Sequence, residues 1–396
     1  MQDFLSFIQN LDIDAKKVFS IVSNNPLVTK NTILKLTGTT LSTLNRVMKP
    51  LLDEQVIVPA GIDQSTGGRK PLLYDVNPGI AYILGLDISR TYTDMVISNL
   101  KMDIVSKRRF LMDETFLPDV TVSYITACFN EMLLESGIQK KDVMGAGLGA
   151  VGPLDRKKGI LINPDHFQAP GWSDVPIKDL LENSLGIPVF TENGANCAVL
   201  LESKMGYGKD CANVAYFNCG IGIRTGVISN GNIIRTMNNV EDAFGHMVVD
   251  MDGEECYCGN YGCIECYSSA AGILKKYAAE VKKGRKPISE LNKISFIDIC
   301  QAADQEDELS RETIINAALA LGTGLANFMN LLNPDIIILS GPLIRHSAIY
   351  YETAVELAMR KSYLSTDHVT FKRLGYFGEN AISLGAAAMF MQKLLV

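Results

Sequence analysis

A short stretch at 245–267 holds a set of soft metal ligands whose spacing constrains the fold more than any other feature of the chain. The ligands fall within eighteen residues: His246, Cys256, Cys258 and Cys263. Gly259 and Gly262 lie between the last two cysteines, where the backbone must turn sharply to return a second thiolate to the same ion. One imidazole and three thiolates form the closed tetrahedral set of a structural zinc site, which leaves no open position for catalysis. The sequence therefore predicts a loop folded around Zn²⁺, with a disulfide or ordinary buried thiols as the alternative.

Composition and cysteine usage are typical of a soluble protein in a reducing compartment. The 396 residues are 47% hydrophobic and 20% charged, which predicts two to three domains with ample core. The sequence shows no secretory leader and no uninterrupted apolar run long enough to span a bilayer, so we expect a cytoplasmic protein without membrane insertion. The nine cysteines then stay reduced, which favours metal binding over disulfides. Cys266, beyond the turn, is interpreted as a packed small hydrophobe.

The first 77 residues predict three short helices. Thr29 is expected to cap the second helix, which ends at Gly38, and Thr40 is expected to cap the third. A short glycine-containing turn between two brief amphipathic helices is typical of a helix-turn-helix unit. The later helix of such a pair lies in the major groove of DNA, with its N-terminal polar residues at base edges. The candidate DNA contacts on this helix are Thr40, Ser42, Thr43, Asn45, Arg46 and Lys49.

A glycine-rich basic turn between two short apolar runs follows, a pattern typical of the wing in a winged-helix domain. Gly68 permits close approach of the backbone to a duplex, and Arg69 and Lys70 offer cations for phosphate or the minor groove. Residues 1–77 carry eight Lys and Arg against seven Asp and Glu, so their balance is +1 while the remainder of the chain is −8. A neutral-to-basic head on an acidic body is compatible with nucleic-acid binding. The alternatives are a three-helix domain with a solvated basic turn and a winged-helix unit that docks a protein.

The Asn-Pro-Gly turn at 77–79 ends this head, and the pattern beyond it is α/β. Three consecutive strands, a helix and two further strands come first, and a second set of three strands opens the next half. Two successive units of this kind predict a duplicated, two-lobed fold that binds ligands between its lobes. We assign 1–78 to the DNA-binding head, 79–195 with about 376–396 to the first lobe, and 196–375 to the second lobe with the zinc loop and an oligomerisation surface.

Together these blocks resemble the ROK family of repressors, open reading frames and sugar kinases, within the sugar-kinase and actin-like ATPase superfamily. The metal loop through Glu265 matches the specific family pattern CxCGxxGCxE. Looser matches are GLDISRTYT at 85–93, GAVGPLD at 149–155, APGW at 169–172, IPVFTENGAN at 187–196, LNPDIIILSG at 332–341 and SLGAA at 383–387. A winged helix ahead of such a body is the arrangement of the family's transcriptional repressors. The resemblance implies an α/β fold: a winged helix-turn-helix head followed by a two-lobed actin-like ATPase body with a structural zinc loop.

Departures from the family pattern argue against kinase activity. In the kinases an Asp within an ENDAN block is the base, and Gly194 stands at that position here. Glycine accepts no proton, and a positioned base typically contributes about 10²–10⁴ in rate. Ser89 and Arg90 replace the two glycines of the first phosphate loop, and Arg224 and Thr225 put side chains where a nucleotide needs room. We therefore expect that the chain is not an enzyme.

The sugar contacts of the family correspond to Asn193, His246 and Glu265, which are all present. One acidic contact is missing, because Ala243 stands in the block that the family writes ExGH. The loss of one carboxylate weakens or redirects sugar recognition without abolishing it. Trp172, the only tryptophan, is expected beside this pocket as a stacking wall, with a plain core position as the alternative. For Asn193 and Glu265 the alternatives are helix capping and a solvated carboxylate.

The sequence thus predicts a sugar-responsive, DNA-binding transcriptional regulator of carbohydrate metabolism, most simply a repressor. Its expected partners are double-stranded operator DNA and a small carbohydrate or related metabolite. A homodimer or homotetramer would place two heads on one pseudo-palindromic operator. Two other classes stay open: an ATP-dependent sugar kinase with a rearranged base, and a regulator controlled by docking a protein partner.

Overall fold

The computed structural model describes residues 4–63, 70–164, 166–235, 241–363 and 369–395. Within them the chain forms one three-stranded sheet, two five-stranded sheets and a two-stranded hairpin. Two of the predicted wing contacts, Gly68 and Arg69, lie outside the described residues.

The N-terminal elements form a small helical unit with a three-stranded sheet. They are α1 (Phe4–Asn10), α2 (Ile13–Asn24), β1 (Val28–Thr29), α3 (Lys30–Thr37), α4 (Leu41–Asp53), β2 (Ile57–Ile62) and β3 (Leu72–Val76). The strands lie side by side in the order β1-β3-β2 and are antiparallel. As predicted, Thr29 Oγ1 accepts a hydrogen bond from Thr32 N at 3.1 Å, and Thr40 Oγ1 accepts one from Thr43 N at 3.3 Å. Gly38 ends α3 with a φ of 69°, a conformation that glycine adopts without steric cost.

The next elements build the first five-stranded sheet. They are β4 (Tyr82–Ile88), β5 (Tyr92–Asn99), β6 (Ile104–Leu111), α5 (Pro118–Ser136), β7 (Val143–Ala150), β8 (Leu154–Asp155), β9 (Ile160–Leu161), α6 (Ile177–Leu185), β10 (Val189–Asn193) and α7 (Gly194–Met205). The sheet order is β10-β7-β4-β5-β6. Strands β4, β7 and β10 are parallel, whereas β4, β5 and β6 form an antiparallel meander. Both central strands, β4 and β7, are almost wholly buried, as expected where helices cover both faces.

The remaining elements build the second five-stranded sheet and its helices. They are β11 (Asn213–Cys219), β12 (Ile223–Ser229), β13 (Asn232–Ile233), α8 (Ile264–Ser268), α9 (Ala270–Lys282), α10 (Phe296–Asp304), α11 (Glu308–Leu332), β14 (Ile336–Ser340), α12 (Pro342–His346), α13 (Ala348–Lys361), β15 (Thr370–Arg373) and α14 (Ala381–Leu395). Short 3₁₀ turns occur at Lys140–Asp142, Glu241–His246, Leu291–Lys293 and Gly378–Asn380. The sheet order is β13-β12-β11-β14-β15, with β11, β14 and β15 parallel.

The two five-stranded sheets repeat one topology. In each, the first three strands form an antiparallel meander, the fourth pairs in parallel with the first, and the fifth pairs in parallel with the fourth. A helix follows the fifth strand in both cases: α7 after β10 and α14 after β15. This confirms the prediction of a duplicated, two-lobed α/β body.

Helices α7 and α14 pack against each other between the two sheets. Their backbones approach so closely at Gly385 that a side chain there would collide with the carbonyl of Cys197. At the start of α14, Ile382 packs near Gly149 and Gly194 at the carboxyl ends of β7 and β10. Both helices therefore border the cleft between the lobes.

The N-terminal unit packs against helix α14. Ile8 and Phe19 of that unit belong to one buried cluster with Leu384, Phe390 and Met391 of α14. Beside it, Lys101 Nζ lies 2.6 Å from Asp75 Oδ2, an ion pair between the first lobe and β3. The N-terminal unit is thus packed against the first lobe through α14.

Helix α11 is long and apolar enough, by length and composition, to cross a membrane, contrary to the expectation that the chain holds no such stretch. In the fold it is the central helix of the second lobe, and 56% of its most apolar window is buried. Ile314, Leu321 and Leu325 of α11 lie in the main core of this lobe. Core helices of soluble proteins meet the same criterion, so α11 is only weak support for a membrane span.

Candidate functional site

The predicted metal ligands converge in one loop of the second lobe. His246, Cys256, Cys258 and Cys263 each offer a ligand atom, and these atoms lie within 4.8 Å of one another. His246 Nδ1 lies 3.6 Å from Cys256 Sγ, and Cys258 Sγ lies 3.8 Å from Cys263 Sγ. A tetrahedral ion with Zn–S bonds of about 2.3 Å separates its sulfur ligands by about 3.8 Å. The donor set and its spacing are therefore compatible with structural zinc.

Backbone pairing and glycine give the loop its shape. Isolated bridges join Val248 to Cys263 and Glu255 to Tyr261, so the loop folds back on itself twice. Gly262 has a φ of 70°, and a side chain there would collide with the carbonyl of Asp250. Only glycine fits that turn, so a glycine directly before Cys263 is a useful sequence indicator of a loop that closes on a metal ion.

Cys266 lies next to the metal-ligand cluster without belonging to it. Its sulfur lies 3.9 and 3.8 Å from the carbonyl oxygens of Glu254 and Glu255. This placement agrees with its interpretation as a packed thiol.

Buried polar atoms without hydrogen-bond partners concentrate in the cleft between the lobes. Among the residues that the structure describes, those in the cleft include Asp87 Oδ1 and Oδ2, Asn196 Oδ1, Arg224 Nη1, Thr225 Oγ1 and Glu265 Oε1. They come from both sheets and from the helices that follow them. An unpaired buried polar group is costly, and such groups usually mark a place where water or a ligand completes the hydrogen bonding. The cleft floor is therefore suited to a ligand rich in hydrogen-bonding groups.

The predicted ligand contacts differ in how they face this cleft. Asn193 is buried at the end of β10, and its Oδ1 accepts a hydrogen bond from Ala195 N at 2.8 Å, so it caps α7. Glu265 is buried, and its Oε2 accepts a hydrogen bond from Ile223 N at 2.7 Å while Oε1 has no partner. The alternative that Glu265 is a solvated carboxylate is therefore wrong. The alternative that Asn193 caps a helix is confirmed.

Trp172 lies in the core of the first lobe. The side chain is 3% exposed, its ring stacks on Phe167 at 4.3 Å, and its Nε1 donates to the carbonyl of Phe116 at 3.1 Å. These contacts satisfy the indole without a ligand. The structure therefore places Trp172 in the core position that the sequence analysis held as the alternative to a stacking wall.

The guanidinium of Arg224 lies beside Gly194, the residue that the family resemblance aligns with the base of the kinases. A β-carbon built on Gly194 would lie 3.1 Å from Arg224 Nη1 and 3.1 Å from Ile382 Cγ2. Arg224 is 4% exposed and faces Asp87, whose pKa is raised by burial against the attraction of this cation. The side chains of Arg224 and Ile382 thus border the space beside Gly194.

An ion-pair chain closes the neighbouring part of the cleft. Arg109 Nη1 lies 3.5 Å from Asp94 Oδ2 and 3.2 Å from Glu379 Oε2, and Glu379 also pairs with Arg345. Arg109 stands in the first lobe and Arg345 in the second, so the chain joins the lobes. The cavity beside these residues measures about 20 Å³, room for about one water molecule. Burial and the Asp87 carboxylate raise the pKa of Asp94 to about 7.

A second ionic cluster, centred on Glu192, also joins the lobes. Glu192 is 1% exposed, and its Oε2 lies 2.7 Å from Arg235 Nη1 and 3.8 Å from Arg156 Nη1. Its Oε1 accepts hydrogen bonds from Asn193 N at 2.9 Å and from Asn196 Nδ2 at 3.3 Å. Sequence reasoning missed Arg156 and Arg235, because neither stands in a recognisable motif and the pairing depends on how the lobes face each other.

The N-terminal end of α4 forms an exposed polar surface. Thr40, Ser42, Asn45, Arg46 and Lys49 are exposed, and Thr43 is half-buried. Lys30 Nζ donates to Asn45 Oδ1 at 2.7 Å, a contact between α3 and α4 that the sequence did not reveal. Lys70 is exposed where the described chain resumes after the predicted wing. All described members of the predicted DNA-contact set except Lys70 therefore belong to α4 or its N-cap, with Lys49 two turns further along than Ser42.

Comparisons with known proteins agree with these observations. The sequence model of the ROK family matches residues 83–393. A xylose repressor of Bacillus subtilis (strain 168) is 27% identical over 378 residues, covering 95% of this chain and 94% of that protein. A glucokinase of Thermotoga maritima is 30% identical over 261 residues, covering 63% of this chain and 79% of the kinase. A crystal structure of a ROK family transcriptional regulator, homologous to the E. coli MLC protein, matches with a TM-score of 0.78 at 21% identity, covering 98% of this chain and 97% of that one.

Proposed function

The chain belongs to the ROK family, and on that premise we propose that it is a sugar-responsive transcriptional repressor without kinase activity. The observation that carries this proposal is the placement of Arg224 beside Gly194. A kinase needs a base and room for a nucleotide at this point, and a buried guanidinium supplies neither. Full-length similarity to a xylose repressor supports the same function, whereas the similarity to a glucokinase covers the body alone.

The N-terminal unit is proposed to be a winged helix-turn-helix that binds double-stranded operator DNA. Helix α4 would lie in the major groove, because its polar residues are exposed at its N-terminal end. The proposed contacts on it are Thr40, Ser42, Thr43, Asn45, Arg46 and Lys49. Gly68, Arg69 and Lys70 would contact phosphate or the minor groove from the wing.

The interlobe cleft is proposed to bind a small carbohydrate or related metabolite. Sugar hydroxyl groups both donate and accept hydrogen bonds, so they match the unpartnered oxygens of Asp87, Asn196 and Glu265 and the unpartnered nitrogen of Arg224. Of the contacts carried over from the family, Glu265 and His246 fit this role best, with Asn193 shaping the helix start beside them.

Zinc is proposed to hold the loop at 246–263 in the folded state. Thiolate ligands and an imidazole at tetrahedral spacing suit Zn²⁺, and a closed set gives the ion a structural role. The loop carries His246 and leads into α8, which carries Glu265. The metal would therefore fix two of the proposed ligand contacts without taking part in chemistry.

Regulation would proceed by a shift between lobe arrangements in a cytoplasmic homodimer or homotetramer. A ligand that binds one arrangement more tightly shifts the population towards it. Because the N-terminal unit packs on α14, which borders the cleft, a change in lobe contacts would alter the separation of two heads on one operator. A regulator controlled by a docked protein is the second candidate, and it would leave DNA release independent of any sugar.

The first test is capture of fragmented genomic DNA by the purified protein at about 0.15 M salt, since non-specific phosphate binding weakens steeply with salt. Enrichment of one or a few palindromic sites, with release of that DNA by D-xylose or D-glucose, is the expected result. Capture by the Arg46→Ala variant serves as the control and should lose the enrichment. Absence of any enriched site with the wild-type protein would overturn the proposed function.

A further inference from the structure

Tyr257 stands between two histidines from different lobes. Its ring meets the His246 ring edge-on, with centroids 5.3 Å apart, and meets the His166 ring edge-on at 5.2 Å. His166 belongs to the first lobe, after β9, whereas Tyr257 and His246 belong to the metal loop of the second lobe. The tyrosine therefore forms an aromatic contact across the cleft.

The hydroxyl of Tyr257 lies within hydrogen-bond distance of the His246 ring nitrogen that faces away from Cys256. His246 Nδ1 points at Cys256 Sγ, which leaves Nε2 on the opposite edge of the ring, 3.3 Å from the Tyr257 hydroxyl. With a metal ion on Nδ1, the imidazole would keep its proton on Nε2, and Nε2 would donate this hydrogen bond to the tyrosine oxygen. His246 has a single N–H left to give, and the tyrosine accepts it.

The surroundings leave Tyr257 space to move. The residue is 47% exposed. A cavity of about 120 Å³ adjoins it and is lined by His166, Glu265 and Lys275 among others. Glu265 is the buried carboxylate with one unpartnered oxygen, and it lines the same cavity as Tyr257.

We propose that Tyr257 is the specificity-determining gate of the ligand site, whose hydroxyl occupies His246 Nε2 until a ligand hydroxyl takes its place. The proposal rests on the proposed function, because it names how that cleft admits a polyhydroxyl ligand. One N–H donates well to one acceptor, so a sugar oxygen that reaches Nε2 displaces the tyrosine. The displaced ring then leaves His166, and this aromatic contact between the lobes is lost. A ligand without a hydroxyl at this point leaves the ring in place and binds without altering the lobes.

Substitution of Tyr257 by phenylalanine tests the gate, because it removes the hydroxyl and keeps the ring. Calorimetric titration with D-xylose and with D-glucose is compared for wild type, Tyr257→Phe and the control Tyr261→Phe, an exposed tyrosine of the same loop. Tyr257→Phe is expected to bind at least one of the two sugars about three- to tenfold more tightly than wild type, the factor of one competing hydrogen bond. The control is expected to match wild type.

Zinc content and DNA capture show whether a negative result concerns the gate, the metal loop or the proposed repressor function. Each variant is checked for one bound metal ion, so that a misfolded loop is recognised before affinities are compared. Equal or weaker binding by Tyr257→Phe, including the case in which neither protein binds either sugar, overturns the gate. The proposed repressor function fails separately, by absence of operator enrichment with wild-type protein. His166→Ala provides the second measurement: loss of the ring contact should also tighten sugar binding, and unchanged affinity would count against the contact between the lobes as part of the gate.

Discussion

Arg224 Nη1 lies 3.1 Å from the point that a β-carbon on Gly194 would occupy. The pair joins β12 of the second lobe to the start of α7 at the end of the first sheet. In a kinase of this family the same place carries a carboxylate that faces a sugar hydroxyl. Here a buried cation has taken the space, and the two changes support each other: with aspartate at 194 the cation would be drawn into an ion pair.

Restoring the carboxylate should not restore a kinase. We expect Gly194→Asp to show no sugar-dependent ADP release, because the new carboxylate pairs with Arg224 and the nucleotide side of the cleft stays closed. A positioned base is typically worth about 10²–10⁴ in rate, but only where a phosphate donor is bound. A coupled ADP assay with D-xylose and D-glucose measures this, with the Thermotoga maritima glucokinase as positive control. ADP release by the single variant would show that the cleft still admits ATP.

Loss of a metal ligand should release the metal and unfold the loop. Cys258→Ser is expected to lose most of its zinc and to unfold at a lower temperature than wild type, since three ligands hold the ion far less tightly than a closed set of four. The matched control is Cys266→Ser, whose sulfur contacts carbonyl oxygens beside the cluster. Metal analysis by mass spectrometry and a thermal scan provide the measurement. Equal zinc loss in both variants would contradict the assignment of the four ligands.

The Glu192 cluster should contribute to stability through burial. Arg235→Ala leaves a carboxylate that is 1% exposed with Arg156 at 3.8 Å as its nearest cation, so we expect a loss of about 1–3 kcal/mol in the free energy of unfolding. The control is Lys178→Ala, which breaks the half-buried helix pair with Glu182 at 3.9 Å and should cost no more than about 0.5 kcal/mol. Urea titration of both variants measures the difference. Similar losses in the two would argue against a special role for the buried pair.

The raised pKa of Asp94 predicts a pH-dependent stability. Its folded pKa of about 7 lies above the ordinary value of 3.8, so the folded state keeps the proton longer than the unfolded chain. The stability contributed by the protonated form is complete below about pH 4 and is lost as pH rises towards 7. Asp94→Asn cannot ionise, so its unfolding temperature relative to wild type should be higher at pH 8 than at pH 5. An unfolding-temperature difference between Asp94→Asn and wild type that is the same at both pH values would contradict the prediction.

Two residues of α4 should affect DNA binding in different ways. Arg46→Ala is expected to weaken operator binding by about 1–3 kcal/mol while leaving non-specific DNA almost unaffected, as for a base contact. Lys49→Ala is expected to weaken both kinds of DNA and to reduce the salt dependence of binding by about one unit of slope, as for a phosphate contact. Fluorescence anisotropy at several salt concentrations separates the two. The body variant Lys361→Ala is the control, and equal loss for all three variants would contradict docking through α4.

Features that depend on neighbours in sequence were predictable. Thr29 and Thr40 cap the helices assigned to them, since a capping side chain acts within three residues of itself. The ligand atoms of the metal loop meet because glycines at fixed positions close a short turn. The repeated strand pattern also predicted the duplicated sheets, because pairing of consecutive strands is local.

Features that depend on the meeting of distant segments were not predictable. Arg235 reaches Glu192 only because β13 and β10 face each other across the cleft, and neither residue type nor spacing reveals that. Trp172 looked equally suited to a ligand wall and to the core, and its partner Phe116 lies on another segment. The hydrogen bond between Lys30 and Asn45 was also not predictable, although the two residues are closer in sequence, because the angle between α3 and α4 brings them together.

The position of α14 in the fold bears on how the protein is made. Helix α14 lies across the first sheet and shares the buried cluster of the N-terminal unit, yet it follows every strand of the second lobe in the chain. A ribosome therefore releases the N-terminal unit and all strands of the first sheet before the helix that covers them exists. Folding steps that join segments far apart in the chain are slow. The apolar surface that α14 covers stays exposed until this helix packs on it. The N-terminal unit consequently reaches its final position only after the whole second lobe has been translated, so a truncated product would present that unit without the helix it packs against.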